Sequence, residues 1–200
     1  GFAAAVSSAR RGRKTLLIEQ GGCIGGFWTR GLLTWLIDTY DKGELLDEMM
    51  ERLVKNADGK KLTHISRFTA DTEKTKLEFE RVCKESGVDV LYHTFVSDAV
   101  VEDRNIKAVL TESKSGRLYF EADIVIDATG DGDLGYHCGA SYEIGNENGT
   151  TQPMSLVAHI SGVNISKTEY DSRYVKNKEA KAKILADMES AGLTPSYSSP

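Results

Sequence analysis

The sequence specifies an α/β protein: a parallel sheet with helical crossovers, and a small antiparallel meander placed ahead of its last core strand. Three observations lead there. Short apolar runs, Lys14–Glu19 (KTLLIE) and Val88–His93 (VDVLYH), alternate with stretches whose apolar residues recur at helical spacing, and that alternation implies parallel pairing. From Phe95 to Phe120 the apolar period changes to two, the signature of half-buried strands. Glycines gather after two of the apolar runs, at Gly21–Gly26 and around Gly130–Gly132, where a sheet of this kind opens its ligand crevice.

Taken in order, Phe2 to Arg11 reads as a helix of small residues, with Gly12 placed to end it. Lys14–Glu19 is short enough for a buried strand. Gly21-Gly22-Cys23-Ile24-Gly25-Gly26 and Phe27–Gly31 form a loop whose glycines permit close backbone approach or positive φ. Gly43–Lys55 carries Leu45, Leu46, Met49, Met50, Leu53 and Val54 on one helical face. Asp71 is placed to cap a helix through Glu85, with Leu77, Val82 and Cys83 inward and Gly87 as its stop. Val96–Glu102, Ile106–Glu112 and Leu118–Phe120 make the meander. Asp123–Ala128 (DIVIDA) reads as a buried strand running into Thr129-Gly130-Asp131-Gly132-Asp133, with a short helix to Cys138. Beyond Gly149 the character changes. Met154–Ile160 reads as a strand and Glu179–Ala191 as a helix. The expected division is therefore one domain over residues 1–150 and the start of a second over 151–200.

Composition narrows the function. With 40% hydrophobic residues the 200-residue chain can build a core, and a formal net charge of −5 argues against nucleic acid and against an anionic membrane surface. No apolar run is long enough to span a bilayer. Three widely spaced cysteines do not make a disulfide framework, which points to the reducing cytoplasm. The chain opens on Gly1 inside an apolar helix and reads as a piece of a longer protein.

The chemistry lies in three features. A helix opens at Gly1, and the strand after it ends in Glu19. In dinucleotide folds a glycine at the helix start admits a diphosphate to the backbone N–H groups, and an acid about twenty positions on takes a ribose hydroxyl. A generic βαβ unit with a strand-end carboxylate has the same outline. The Gly21–Gly26 loop follows directly, and Ala128-Thr129-Gly130-Asp131 closes the last apolar run.

This order resembles that of the two-dinucleotide-binding-domain flavoproteins. It is most similar to the FAD-dependent oxidoreductase family that includes heterodisulfide-reductase-A-like proteins. The matching stretches are LLIEQGGCIGGFWTRG (Leu16–Gly31), VIDATGDGDLG (Val125–Gly135) and TQPMSLVAHISGV (Thr151–Val163). The resemblance implies a Rossmann-like FAD-binding domain, the opening of a substrate domain, and hydride or electron transfer through a bound flavin. It implies FAD as cofactor, and a small-molecule substrate or a redox partner protein. By the same resemblance, Gly1 is the last glycine of the phosphate turn, and Glu19, with Gln20 beside it, meets the adenosine ribose. Gly22, Gly25, Gly26 and Thr29 lie near the diphosphate and flavin. Val96 presents backbone to adenine, and Thr129, Gly130 and Asp131 make a second cofactor turn. Two other readings stand beside this one: an NAD-binding protein without flavin, and an electron-transfer subunit serving a partner.

Other residues invite roles. Cys23 sits in the flavin-side loop, but no second cysteine follows within a few residues, and no C-x-x-C pair suggests zinc or an iron–sulfur cluster. Arg30 faces an anion or solvent. Trp28 and Trp35 line a pocket or the core. His64, His93, His137 and His159 are scattered, and none is assigned as a catalytic base.

Overall fold

The computed structural model describes residues 1–39, 41–55, 67–162 and 178–193. His64 lies outside them, as do residues 163–177 and 194–200 of the expected second domain. The chain divides into two compact units, Gly1–Ala158 and His159–Pro200.

The first unit is organised by one parallel strand pair. Helix α1 (Phe2–Arg10) ends at Arg11, and Gly12, at φ 78°, reverses the chain while its N–H donates to Ala9 O at 2.8 Å. Strand β1 (Thr15–Ile18) pairs with a later strand, Val88–Leu91, in parallel register, Thr15 opposite Val88 and Ile18 opposite Leu91. The pairing outlasts the strands. Glu19 N–H donates to Leu91 O, His93 N–H to Gly21 O and Thr94 N–H to Glu19 O, each near 3 Å. The residue after β1 is thereby held as firmly as the strand itself.

Between the paired strands lie two helices, α2 (Glu44–Lys55) and α3 (Thr72–Ser86), and a small ribbon. In the ribbon β2 (Trp35–Ile37) runs antiparallel to β3 (Arg67–Thr69). The sequence shows no sign of it, since three residues are too few to display a period. Asp71 caps α3 as expected, its Oδ1 accepting from Lys74 N–H at 2.9 Å, and Gly87 at φ 77° ends it. Strand β4 (Val88–Leu91) follows at once. Leu77, expected inward, is exposed. Thr75, Phe79, Val82 and Cys83 form the buried stripe of α3, and position 77 lies roughly 200° around the helix from Phe79 at about 100° per residue.

The core gathers on that stripe. The Phe79 ring stacks on Phe2 of α1 at 4.3 Å between centroids and on Trp28 of the loop after β1 at 5.9 Å. Val6, Ile24, Met49, Val82 and Cys83 complete it. Removing an aromatic ring from such a site costs about 3–5 kcal/mol. Met50 and Leu53 of α2 pack with Leu36 and Ala70 in a smaller cluster. The outer ends of the three helices are tied by charge. Arg10 reaches Glu48 in bidentate fashion at 2.7 and 3.0 Å, and Arg52 bridges Glu48 at 2.9 Å and Glu85 at 2.6 Å.

The meander forms as read: β5 (Thr94–Glu102), β6 (Asn105–Ser113) and β7 (Gly116–Phe120), antiparallel in order. Asp103 and Arg104 make its first turn with φ of 48° and 64°, the left-handed pair that matches strand twist in a two-residue hairpin.

Two expected strands are absent. Asp123–Ala128 is not in a strand ladder, and Ile124 and Ile126 are 81% and 60% exposed. Met154–Ile160 likewise has no ladder, and Met154 and Leu156 are fully exposed. A strand exists only as one of a pair, and none of the described residues pairs with either segment. The short helix α4 (Asp133–His137) does form and lies against β5, with His137 Nδ1 3.8 Å from Asp98 Oδ1. In the second unit the expected helix is α5 (Lys178–Ser190). Among the described residues no helix is long and apolar enough to cross a membrane. The parallel pair with its crossover, together with the meander, is the mixed α/β architecture that the patterning implies.

Candidate dinucleotide site

Three stretches meet at the carboxyl end of β1. Gly1 opens α1. A Cβ added there would lie 3.4 Å from Leu17 Cδ1 and 3.6 Å from Ala128 Cβ, so the helix start touches both β1 and the turn that begins at Ala128. The first intrahelical hydrogen bond of α1 is Ala5 N–H to Gly1 O at 3.0 Å. No side chain caps the helix, and no acid lies in its first turn. The N–H groups of Phe2, Ala3 and Ala4 therefore have no acceptor within the helix.

Glu19 is largely covered, with 19% of its side chain exposed. Its Oε1 accepts from Gly21 N–H at 2.7 Å and lies 3.7 Å from Arg30 Nη1. Oε2 accepts no hydrogen bond among the described residues. Gly21 is buried, because Arg30 crosses it: a Cβ would come within 2.5 Å of Arg30 Nη1. Gly22 is exposed, yet a Cβ added there would come within 2.9 Å of the imidazole of His93. His93 itself takes a left-handed φ of 51° at the end of β4. Gln20 between them is exposed.

The rest of the loop folds onto itself. Gly25, at φ 117°, sits against the Phe79 ring. Thr29 is fully buried, and its hydroxyl donates to Ile24 O at 2.8 Å, with Cys23 Sγ 3.8 Å away. Gly31 packs on Phe27. Gly26, at φ 53°, has nothing within 4 Å of its open side. Of the glycines expected to receive a ligand in this loop, Gly22 and Gly25 meet the protein's own side chains, and Gly26 is clear. Trp28 belongs to the core, while Trp35 is half exposed on β2.

The second turn is built on a residue the sequence reading passed over. Asp127 Oδ1 accepts from Thr129 N–H at 2.9 Å and from the Thr129 hydroxyl at 2.7 Å, and Oδ2 accepts from Gly135 N–H at 2.9 Å. Thr129 Oγ1 in turn accepts from Gly132 and Asp133 N–H. Burial works to raise the Asp127 pKa, but the hydrogen bonds from Thr129, Gly135 and Leu134 outweigh it and hold the carboxyl below its usual value of 3.8. An Asp two residues before a Thr-Gly turn is an Asx-turn signal, and it was available in the sequence. Gly130 and Gly132 have φ of 99° and 77° and open sides. Asp131 is exposed. Val96 pairs with Thr111 across β5 and β6, two residues past the Thr94 that holds Glu19 O.

Burial disfavours the thiolate at two of the cysteines. All three cysteines are free. Burial, then Glu80, pushes the Cys83 thiol up to about 11, and burial raises that of Cys138. Tyr92, whose hydroxyl meets Glu80 at 3.3 Å, is pushed up to about 12 by burial and by that carboxylate. Among the described residues no cluster could hold a metal ion.

The donor set at β1 suits a dinucleotide. It offers helix-start amides without an internal acceptor, a glycine that lets the helix start pack on β1 and the Ala128 turn, and a carboxylate with one oxygen unengaged. Such amides take phosphate oxygens, and such a carboxylate takes ribose hydroxyls.

The comparisons with known proteins agree. No curated protein matches the chain. Among solved structures it is similar to THI4 from Thermovibrio ammonificans, at 16% identity and a TM-score of 0.52, over 68% of this chain and 56% of that one. It is also similar to a geranylgeranyl bacteriochlorophyll reductase-like protein from Thermoplasma acidophilum, at 17% identity and a TM-score of 0.52, over 70% of this chain and 39% of that one. These likenesses concern the fold, and the chain covers well under two thirds of either protein. The family model described as FAD dependent oxidoreductase matches residues 1–197. With a match of that extent the chain belongs to the family of FAD-dependent oxidoreductases, whose cofactor is FAD.

Proposed function

We propose that the protein holds FAD by its adenosine diphosphate half at the carboxyl end of β1, in the service of a redox reaction on a small molecule. One observation carries this reading: the uncapped start of α1, the Glu19 carboxylate and the Ala128–Asp131 turn lie together at one end of a parallel strand pair. The α1 amides that follow Gly1 receive the diphosphate. Glu19 Oε2 accepts from the ribose, with Gln20 exposed alongside. Gly22 and Gly26 supply loop backbone, and Gly25 and Thr29 keep that loop in shape. Thr129, Gly130 and Asp131 form the second cofactor turn, and Val96 lends backbone to adenine.

When bound, FAD supplies a carrier for a hydride or for single electrons. The residues described here bind and orient it. Residues 1–150 are the cofactor domain in this reading, and 151–200 open the substrate domain. The three free thiols favour a reducing compartment, the cytoplasm. The motif stretches favour the heterodisulfide-reductase-A-like group.

The test is the visible spectrum of the full-length protein, followed by release of its nucleotide. A yellow protein that releases FAD is expected; a colourless one holding only NAD would sink the proposal. Glu19→Ala should weaken FAD retention by about 10- to 100-fold, as for the loss of a charged hydrogen bond. Reoxidation of the reduced protein by small molecules, rather than only by a partner protein, separates an enzyme from a relay subunit.

A further inference from the structure

We propose that Arg30 is a positioning residue for Glu19: it holds one carboxylate oxygen so that the other stays available to the nucleotide ribose. The inference rests on the reading of Glu19 given above. Arg30 makes an ion pair with Glu19, with Nη1 3.7 Å from Oε1. The same oxygen accepts the Gly21 N–H at 2.7 Å. A guanidinium and a backbone amide therefore converge on Oε1, and Oε2 accepts no hydrogen bond among the described residues. A carboxylate with one oxygen anchored keeps a single rotamer, so the entropy of ordering it need not be lost when the ligand binds.

Glycine makes the arrangement possible. A Cβ at Gly21 would stand 2.5 Å from Arg30 Nη1, 2.9 Å from Arg30 Cδ and 3.1 Å from Glu19 Oε1. Any larger residue would part the pair. Arg30 is fixed at its base as well. It lies between Thr29, which is fully buried, and Gly31, whose N–H donates to Gly26 O at 3.0 Å. Its guanidinium is half exposed, so it can approach Oε1 without the cost of burying a charge. At 3.7 Å the contact acts through charge and not through a fork of hydrogen bonds, and a lysine of similar reach can supply it.

The experiment is a double-mutant cycle in the full-length protein, with FAD affinity measured on the apoprotein by flavin fluorescence. Arg30→Gln should weaken FAD binding about twofold to fivefold, the range of a partly exposed ion pair. Arg30→Lys should keep most of the affinity. In a Glu19→Gln background, Arg30→Gln should change it less than about twofold, because the residue through which it acts is gone. A full Arg30→Gln effect in that background would overturn the inference and leave the ribose role of Glu19 intact, since Arg30 would then touch the ligand itself. No Arg30→Gln effect in the wild-type background would overturn it too, as would a failure of Lys to rescue at unchanged melting temperature. If Glu19→Gln alone leaves FAD binding unchanged, the ribose role fails and this inference with it.

Discussion

The two glycine-rich turns near α1 are alike in sequence and opposite in construction. After β1, glycines are places where the protein's own side chains come close: Arg30 over Gly21, His93 over Gly22, Phe79 against Gly25 and Phe27 against Gly31. After Ala128, nothing lies within 4 Å of the open sides of Gly130, Gly132 and Gly139, and all three have positive φ. The first turn is held by volume, the second by the Asp127 carboxylate and the Thr129 hydroxyl. Glycine density therefore has two physical meanings here, room for a neighbour and freedom of the backbone. The packed turn presents Glu19, Arg30 and Gly26 from a rigid base, whereas the open turn depends on one titratable side chain.

The largest break in this contrast should come from Gly25→Ala. The new methyl would lie 2.5 Å from Phe79 Cε2, and that ring is held between Phe2 and Trp28. Overpacking and a φ of 117° together should cost on the order of 3 kcal/mol, read from the denaturant midpoint. A loss no greater than at an open glycine would mean that the loop is not packed as described.

Asp127→Ala tests the other construction. It removes the acceptor of the Thr129 amide and hydroxyl and of the Gly135 amide, and should loosen the turn by about 1–2 kcal/mol while the core melts almost unchanged. The amide resonances of Thr129 and Gly135 report this. The turn also has a pH dependence of known sign. The folded Asp127 pKa is depressed, so its stabilisation is complete above the ordinary aspartate value and is lost as pH falls through the lower folded value. Acid should shift these amides in the wild type and leave them flat in the variant. A wild type insensitive to acid would remove Asp127 from the design.

The smallest stability effect belongs to Gly26→Ala, whose open side and φ of 53° imply only a left-handed penalty of about 1 kcal/mol. FAD affinity should fall more than stability does. Equal stability losses at Gly25 and Gly26 would erase the distinction between packed and open positions.

Much of the fold was legible because it is local. Asp71 and Gly87 bound α3 through hydrogen bonds and a φ value that short peptides also obey, and Gly12 ends α1 for the same reason. The meander shows in its period of two. The candidate site was legible in outline, since Gly1 and Glu19 hold their places relative to one strand and one helix. Its support was not. Arg30 on Glu19 depends on how the loop closes, Asp127 on a network back from α4, and His93 on Gly22 on the register of β1 with β4. The apolar run Asp123–Ala128 was misread for a related reason. Its composition is that of a buried strand, but burial requires a neighbour, and Ile124 and Ile126 are exposed.

By itself the sequence determined the helices, the β1–β4 strand pair, the meander, the caps, the family and the placement of an acid at the end of β1, all set by neighbours within a few residues or by motif order. Only the tertiary structure decided which glycines are filled, which oxygen of Glu19 is left to a ligand and which apolar runs become strands. Those outcomes depend on contacts between residues far apart in the chain, such as Gly25 with Phe79 and Gly22 with His93, and no local pattern encodes the distance between them.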